Sequence, residues 1–162
     1  MSGIFSCTLG KTYASSFNEG VTAYKHGNLE KAVAKWAPLA EKNNSIAQYN
    51  LGVLYQNGFE GSPNYSLAVK WYRKAASNGL SQASYNLGLM YELGKGVPQD
   101  YDSAAKWYKK AAKNGNANAQ NNLAVLYMRG LGVPQDYKSV VTWFNEAALQ
   151  NKLSAQYNLG FM

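Results

Sequence analysis

A six-residue motif that returns every 36 residues constrains the fold of this chain more than any other feature. It reads AQYNLG at 47–52, ASYNLG at 83–88, AQNNLA at 119–124 and AQYNLG at 155–160. A second set of residues keeps the same register, and it consists of Trp71, Trp107 and Trp143 with an Ala-Ala pair after each. Periods of about 20 to 50 residues are typical of stacked units, each of which needs a neighbour to bury its apolar face. The sequence therefore predicts an array of repeats.

Each period is expected to contain two amphipathic helices. Small and apolar residues follow three- and four-residue steps in the first half, as at Ala83, Leu87 and Met90, and again in the second half. Asn-Gly pairs and the connectors GKGVPQD and GLGVPQD separate the halves, because Gly permits left-handed turns and Pro cannot continue a helix. The prediction is an all-α fold with helices near 12–26, 28–42, 45–57, 64–78, 81–93, 100–114, 117–129, 136–150 and 153–162.

The expected organisation is an N-terminal tail at 1–11 followed by a single helical-repeat domain at 12–162. Its units are 12–44, 45–80, 81–116, 117–152 and a partial unit at 153–162. Asp100 and Asp136 stand where their side chains can cap a helix. A small residue ends each motif, at Gly52, Gly88, Ala124 and Gly160. We expect this residue to let paired helices approach closely, and we expect the three tryptophans to be packing residues where stacked units interlock.

Few residues in this chain are suited to catalysis or metal binding. One Cys and one His, His26, supply neither a disulfide framework nor the ligands of a zinc site. The nine acidic residues are scattered, and no Ser recurs with a His partner. We therefore expect no enzymatic activity, no metal and no cofactor.

The sequence leaves the compartment open. No apolar run approaches the roughly 18 residues of a membrane-spanning helix, so we expect no membrane insertion. The N-terminus lacks the basic start and sustained apolar stretch of a secretory signal. The segment IFSC has some likeness to a lipoprotein box ending at Cys7, and a free reduced thiol is the alternative. Cytoplasmic, periplasmic and secreted locations all remain possible.

The segments AQYNLGVLYQNG and DYDSAAKWYKKAAKNG resemble the Sel1-like repeat family, a subclass of the tetratricopeptide-like helical repeats that is frequent in bacteria. The resemblance covers about residues 15 to 162. It implies a right-handed α-α superhelix, or solenoid, of antiparallel helix pairs with about four and a half repeats. The first unit differs, because Gly20 and Ala32 stand closer together than Gly52 and Ala68. Its turn is thus expected to be that of an ordinary tetratricopeptide repeat.

The same resemblance implies that the first helix of each pair lines a concave groove and that the second forms the convex outside. Charge divides in the same way, because 45–58 has no charged residue whereas the second helices are basic. In the helices near 64–78 and 100–114, the basic residues are Lys70, Arg73, Lys74, Lys106, Lys109, Lys110 and Lys113. This basic face is interpreted either as a solvated surface or as a nucleic-acid interface, since the chain carries a net charge of +7.

An asparagine recurs two residues before each small residue, at Asn50, Asn86, Asn122 and Asn158, with Asn18 in the same relation to Gly20. A carboxamide donates and accepts hydrogen bonds at once, as the backbone of an extended peptide requires. By resemblance to peptide-binding tetratricopeptide domains, this ladder is the candidate binding site. The residues expected beside it are Gln48, Tyr49, Tyr85, Gln120 and Arg129. The alternative is that the asparagines form hydrogen bonds between helices.

Two classes of function follow from these expectations. The first is a non-enzymatic scaffold or adaptor that binds a peptide or protein in the groove, because stacked helices present a large surface with few convergent reactive groups. The alternative is a nucleic-acid-binding repeat protein that uses the basic second helices. The sequence also stops within a unit, which leaves Tyr157, Leu159 and Phe161 without the next repeat. We expect a longer array, self-association or a partner to cover them, unless the short ninth helix itself forms a cap.

Overall fold

The computed structural model describes residues 3–59 and 61–160, with side chains from residue 14 onward. Over these residues the chain forms nine helices and no strand. They are α1 (Gly3–Lys25), α2 (Leu29–Glu41), α3 (Ser45–Gln56), α4 (Tyr65–Ser77), α5 (Ser81–Leu93), α6 (Tyr101–Lys113), α7 (Ala117–Arg129), α8 (Tyr137–Leu149) and α9 (Leu153–Gly160). We call α1, α3, α5, α7 and α9 the first helices and the others the second helices. The predicted all-α helical-repeat fold is confirmed.

The chain divides into two compact units, Met1–Asn78 and Gly79–Met162. In the first unit, α1 packs on α2, α2 on α3 and α3 on α4. In the second unit, each helix from α5 to α9 packs on the next one along the chain. Within each unit, consecutive helices thus form a continuous series of pairs.

Side chains and glycines define the helix ends where the sequence predicted them. Asp100 and Asp136 are N-caps, and each accepts a hydrogen bond of 3.1 Å from the backbone N–H two residues ahead. Gly94 and Gly130 follow α5 and α7 with a φ of 65°, a left-handed conformation that an L-amino acid with a side chain rarely adopts. The two helix caps predicted from the sequence are confirmed.

The first helix is longer than expected, because α1 begins at Gly3 whereas the sequence predicted a tail at 1–11. Residues 3–11 carry no repeat motif, yet they also contain no proline and no Asn-Gly pair that would stop a helix. At the other end, Tyr157 is 66% exposed and Leu159 is half-buried, while Phe161 lies outside the described residues.

The core is built on the aromatic residue that follows each tryptophan. Tyr72, Tyr108 and Phe144 are fully buried, whereas Trp107 and Trp143 are only half-buried. One residue step turns a helix by about 100°, so the neighbouring positions face different surroundings. The prediction that the tryptophans are packing residues is confirmed for Trp71, which is buried, and for Trp143, which packs against two core clusters, but the fully buried ring is that of the next residue.

In two of the motifs, the small residue makes room for this buried ring. A Cβ atom added at Gly52 would lie 2.6 Å from two ring atoms of Tyr72, and one at Gly88 would lie 2.6 Å from two ring atoms of Tyr108. The predicted close approach at these two glycines is thus confirmed, and it is an approach of a second-helix tyrosine to the backbone of a first helix.

Candidate functional site

An open cleft of about 340 Å³ lies between the first helices of the unit Met1–Asn78. It is lined by Val21 and Tyr24 of α1, Trp36 of α2, and Tyr49, Asn50 and Val53 of α3. Most of this lining is apolar or aromatic, and Asn50 is its one carboxamide. The cleft thus brings together two residues of the predicted groove, Tyr49 and Asn50.

The Trp36 indole forms the buried base of this cleft. Trp36 is 3% exposed, and its indole N–H donates a 3.3 Å hydrogen bond to the Phe17 carbonyl. A Cβ at Gly20 would overlap the indole ring, so glycine is required for this close contact. The Tyr24 ring lies 5.9 Å from the Trp36 ring and remains 41% exposed. The result is a fixed aromatic base beside a more accessible aromatic wall.

In the unit Gly79–Met162, the buried Tyr108 side chain projects its hydroxyl between α5 and α7. This hydroxyl donates a hydrogen bond to Oε2 of Glu92 on α5, and it accepts one of 3.2 Å from Nδ2 of Asn122 on α7. Burial is the main reason why the pKa of Tyr108 is raised, and the hydrogen bond to Glu92 raises it further. Tyr108 therefore remains a neutral donor at physiological pH.

Tyr85 lies against the same cluster. Its ring centroid is 5.9 Å from that of Tyr108. The pKa of Tyr85 is raised first by burial and then by the negative charge of Glu92. Two predicted site residues, Tyr85 and Asn122, thus meet at Tyr108, and Glu92 joins them there.

The predicted asparagines lie in different surroundings. Asn122 is held inside the fold, because its carboxamide also accepts a 3.2 Å hydrogen bond from Nδ2 of Asn121. Asn86 on α5 and Asn158 on α9 are half-buried. Asn18 is exposed and lines a second, more polar cleft of about 550 Å³ with Glu19, His26 and Lys31. Neither of the two alternatives for the ladder holds for all of its members, since Asn122 bonds between helices whereas Asn50 faces a cleft.

Arg129 is exposed in the last turn of α7. Glu19, which lines the Asn18 cleft, forms an ion pair with Lys35 at 2.5 Å. The hydrogen bond from Lys35 is the main reason why the pKa of Glu19 is lowered. The surface at Arg129 and the Asn18 cleft thus contain charged side chains, whereas the cleft at Asn50 is lined by none.

Two glutamines of the predicted groove have a different location. Gln48 is fully buried, donates to the Ala40 carbonyl at 2.9 Å and accepts from Asn78 at 2.9 Å. Gln120 is 3% exposed, donates to the Ala112 carbonyl at 3.2 Å and accepts from Gln150 at 2.8 Å. The last carbonyls of a helix lack intrahelical partners, and these side chains reach them from the following helix. Gln48 and Gln120 therefore do not line an accessible groove.

Sequence reasoning did not include Val21, Tyr24, Trp36 and Val53 in the site. Trp36 belongs to the predicted repeat at 12–44, whose sequence departs from the other repeats. The 36-residue period therefore does not point to it. The sequence feature that could have pointed to Trp36 is Gly20, which occupies the same motif position as Gly52. Glu92 is the one charged residue of α5, and nothing in the sequence links it to Tyr108.

Comparisons with known proteins agree with this architecture. The sequence model of the family described as "Sel1 repeat" matches residues 45–80, 81–116, 117–152 and 153–162. This chain belongs to the Sel1 repeat family. A crystal structure of a Sel1 repeat protein from Oxalobacter formigenes is 33% identical with a TM-score of 0.85, over 90% of this chain and 60% of that one. The family predicted from the motifs is confirmed.

A second Sel1-type structure is c5321, described as a protective antigen of uropathogenic Escherichia coli with an SLR fold. It is 37% identical with a TM-score of 0.86, over 93% of this chain and 33% of that one. This chain thus spans 60% and 33% of the length of these two relatives. Cysteine rich protein B of Helicobacter pylori, at 24% identity and a TM-score of 0.63 over 83% of this chain and 95% of that one, shares the fold.

Two features are absent from residues 3–59 and 61–160. No helix among them is both long enough and apolar enough to cross a bilayer. In the same part of the chain, no three His, Cys, Asp or Glu side chains come together in a metal-binding arrangement.

Proposed function

We propose that this Sel1 repeat chain is a non-enzymatic scaffold that binds an extended peptide segment of a partner protein along its first helices. The observation that carries the proposal is the cleft between α1 and α3, which combines an aromatic base with a single carboxamide. Peptide recognition by helical repeats needs such a combination, since apolar anchors supply free energy and polar groups fix the register.

The size of the cleft favours one side chain of a peptide over a larger ligand. Its volume of about 340 Å³ lies at the lower end of the range of about 300–1,000 Å³ found for ligand pockets. An apolar side chain would pack on Trp36 and Tyr24, and the Asn50 carboxamide would bind the backbone amide and carbonyl beside it. The binding free energy of such an anchor comes mainly from burial of its apolar surface.

The basic second helices give weaker support to a nucleic-acid function. On α6, Lys106 forms an ion pair of 2.9 Å with Asp102, and Lys110 lies 5.3 Å above the Trp107 ring. These intramolecular contacts engage two of the lysines that would meet phosphate groups. Strong salt dependence of any RNA or DNA binding would distinguish that function from peptide binding.

The test is a selection of random 12-residue peptides displayed on phage against the 162-residue chain, followed by affinity measurements on synthetic copies. Asn50→Ala should weaken the selected peptides about two- to tenfold, the equivalent of a hydrogen bond of about 0.5–1.5 kcal/mol. Tyr24→Ala should weaken them more, because aromatic anchors dominate interfaces. Asn145→Ala, an exposed asparagine of the second helix α8, is the matched control.

Melting temperatures decide how the affinities are interpreted. The proposal requires Asn50→Ala to lose affinity while it unfolds at the wild-type temperature and Asn145→Ala to keep both. Failure to select any peptide, or equal affinity of wild type and both cleft variants, would refute it.

A further inference from the structure

Three successive helix pairs carry a matched set of residues at one place. Gln56 and Tyr72 occupy it in the pair α3–α4, Glu92 and Tyr108 in α5–α6, and Met128 and Phe144 in α7–α8. The Tyr72 hydroxyl donates to Oε1 of Gln56 at 2.7 Å, as that of Tyr108 does to Glu92. Met128 instead packs against the apolar cluster around Phe144. A ring with a hydroxyl thus has a polar partner, and a ring without one has an apolar partner.

This comparison separates what the fold requires from what Glu92 adds. A neutral carboxamide satisfies the Tyr72 hydroxyl, so the hydrogen bond itself does not require a negative charge. Keeping a charge half-buried costs solvation free energy unless it is paired. The helix pair therefore needs a hydrogen-bond acceptor at position 92, but it does not need the negative charge of a carboxylate.

The surroundings of Glu92 hold its carboxylate in one place. The Tyr108 hydroxyl binds Oε2, and the connector residue Gln99 donates a 2.7 Å hydrogen bond to the Glu92 carbonyl. An ionised carboxylate has about four lone-pair sites, so one hydrogen bond leaves capacity for further donors. The Tyr85 ring next to this cluster supplies an aromatic surface of the kind that cations contact.

Charge is sparse on the first helices of the unit Gly79–Met162. The helices α5, α7 and α9 contain only two charged residues, Glu92 and Arg129. The basic residues behind the net charge of +7 lie largely outside these helices, and the nearest of them to Glu92 in the sequence is Lys95, in the connector after α5. Glu92 thus has a local preference for a positive group.

We propose that Glu92, with Tyr85 beside it, binds an arginine or lysine side chain of the peptide that lies along α5 and α7. A guanidinium fits best, because it forms charge-assisted hydrogen bonds to a carboxylate and contacts an aromatic ring at the same time. This inference rests on the proposed peptide-binding function and names the chemistry that one part of the partner presents. It makes Glu92 a specificity-determining residue.

The chain itself supplies the test variant. Glu92→Gln reproduces the Gln56–Tyr72 arrangement, so it removes the charge and keeps a hydrogen-bond acceptor for Tyr108. Glu146→Gln, on an exposed position of α8, changes the net charge by the same amount and serves as the control. A second variant, Glu92→Met with Tyr108→Phe, reproduces the Met128–Phe144 set if the first one folds poorly.

The probe is a library of random 12-residue peptides displayed on phage and selected separately on wild type and on each variant. Wild type and Glu146→Gln should enrich peptides with a basic residue at a fixed position, and Glu92→Gln should not. A synthetic peptide from the wild-type selection should bind Glu92→Gln about tenfold or more weakly, as expected for a hydrogen bond to a charged group. Replacing its basic residue by norleucine should then cause no further loss on Glu92→Gln.

The outcomes separate the two proposals. If no peptide is selected on wild type, both fail. If peptides bind in a manner that depends on Asn50 but not on Glu92, the scaffold function stands and the inference about Glu92 is overturned. The inference is also overturned if Glu92→Gln and the double variant still select the same basic residue.

Discussion

Replacing Gly88 by alanine should destabilise the chain, although alanine is the better helix former. The new Cβ would lie 2.6 Å from two atoms of the Tyr108 ring, well inside van der Waals contact. That ring cannot shift without disturbing its hydrogen bonds to Glu92 and Asn122. A contact this short should cost about 2–3 kcal/mol, the upper part of the range for overpacking. With about 1 kcal/mol returned by helix propensity, we expect a net loss of about 1–2 kcal/mol in the free energy of unfolding.

The matched control is Gly160→Ala, at the same place of the motif in α9. No described atom lies within 4 Å of a Cβ at Gly160, so this variant should be neutral or stabilised by up to about 1 kcal/mol. Urea unfolding followed by circular dichroism at a helical wavelength measures both. Adding Glu92→Met and Tyr108→Phe to Gly88→Ala recreates the third helix pair and should restore stability. A Gly88→Ala variant as stable as wild type would refute the role assigned to the ring.

Two further predictions concern stability. Gln48→Ala removes two buried hydrogen bonds, one to the Ala40 carbonyl and one from the Asn78 amide, although both groups keep a bond to the Asn43 backbone. At about 0.5–1.5 kcal/mol for each bond, urea unfolding should show a loss of about 1–3 kcal/mol, and unchanged stability would contradict this. Asp100→Ala removes the cap of α6. The pKa of Asp100 is lowered mainly by its hydrogen bond from Ser103, so its stabilisation is present above the unfolded pKa and is lost as pH falls through the folded one. Melting curves from pH 7 to 2 should therefore show a smaller acid-induced drop for Asp100→Ala than for wild type, and equal drops would exclude that role.

The bounds of α2 to α8 were predictable because local residues set them. Asp100 caps α6 through its own side chain, and Gly94 ends α5 through its own backbone angle, so neither depends on distant contacts. The sequence could not choose between Trp107 and Tyr108 as the core residue. Adjacent aromatics both fit a helical period, and only the space left by Gly88 on another helix distinguishes them.

The candidate site was predictable only in part, for a related reason. Asn50 and Gln48 lie two residues apart on α3, and both are carboxamides, but they point in different directions. Asn50 faces the cleft, whereas Gln48 reaches back to the end of α2. A pattern along one helix gives the position of a polar side chain. The neighbouring helices decide whether that side chain is accessible to a partner or forms a hydrogen bond within the fold.

The buried glutamines also bear on how such an array folds. The hydrogen bond from Gln48 to Ala40 joins α3 to the end of α2, so it forms only when both helices are in place. The bond from Gln120 to Ala112 joins α7 to α6 in the same way. In a linear array, interactions of this kind add to the coupling between neighbouring repeats and not to the intrinsic stability of one repeat. Each glutamine thus increases folding cooperativity along the chain, because a folded repeat favours the folding of the next repeat.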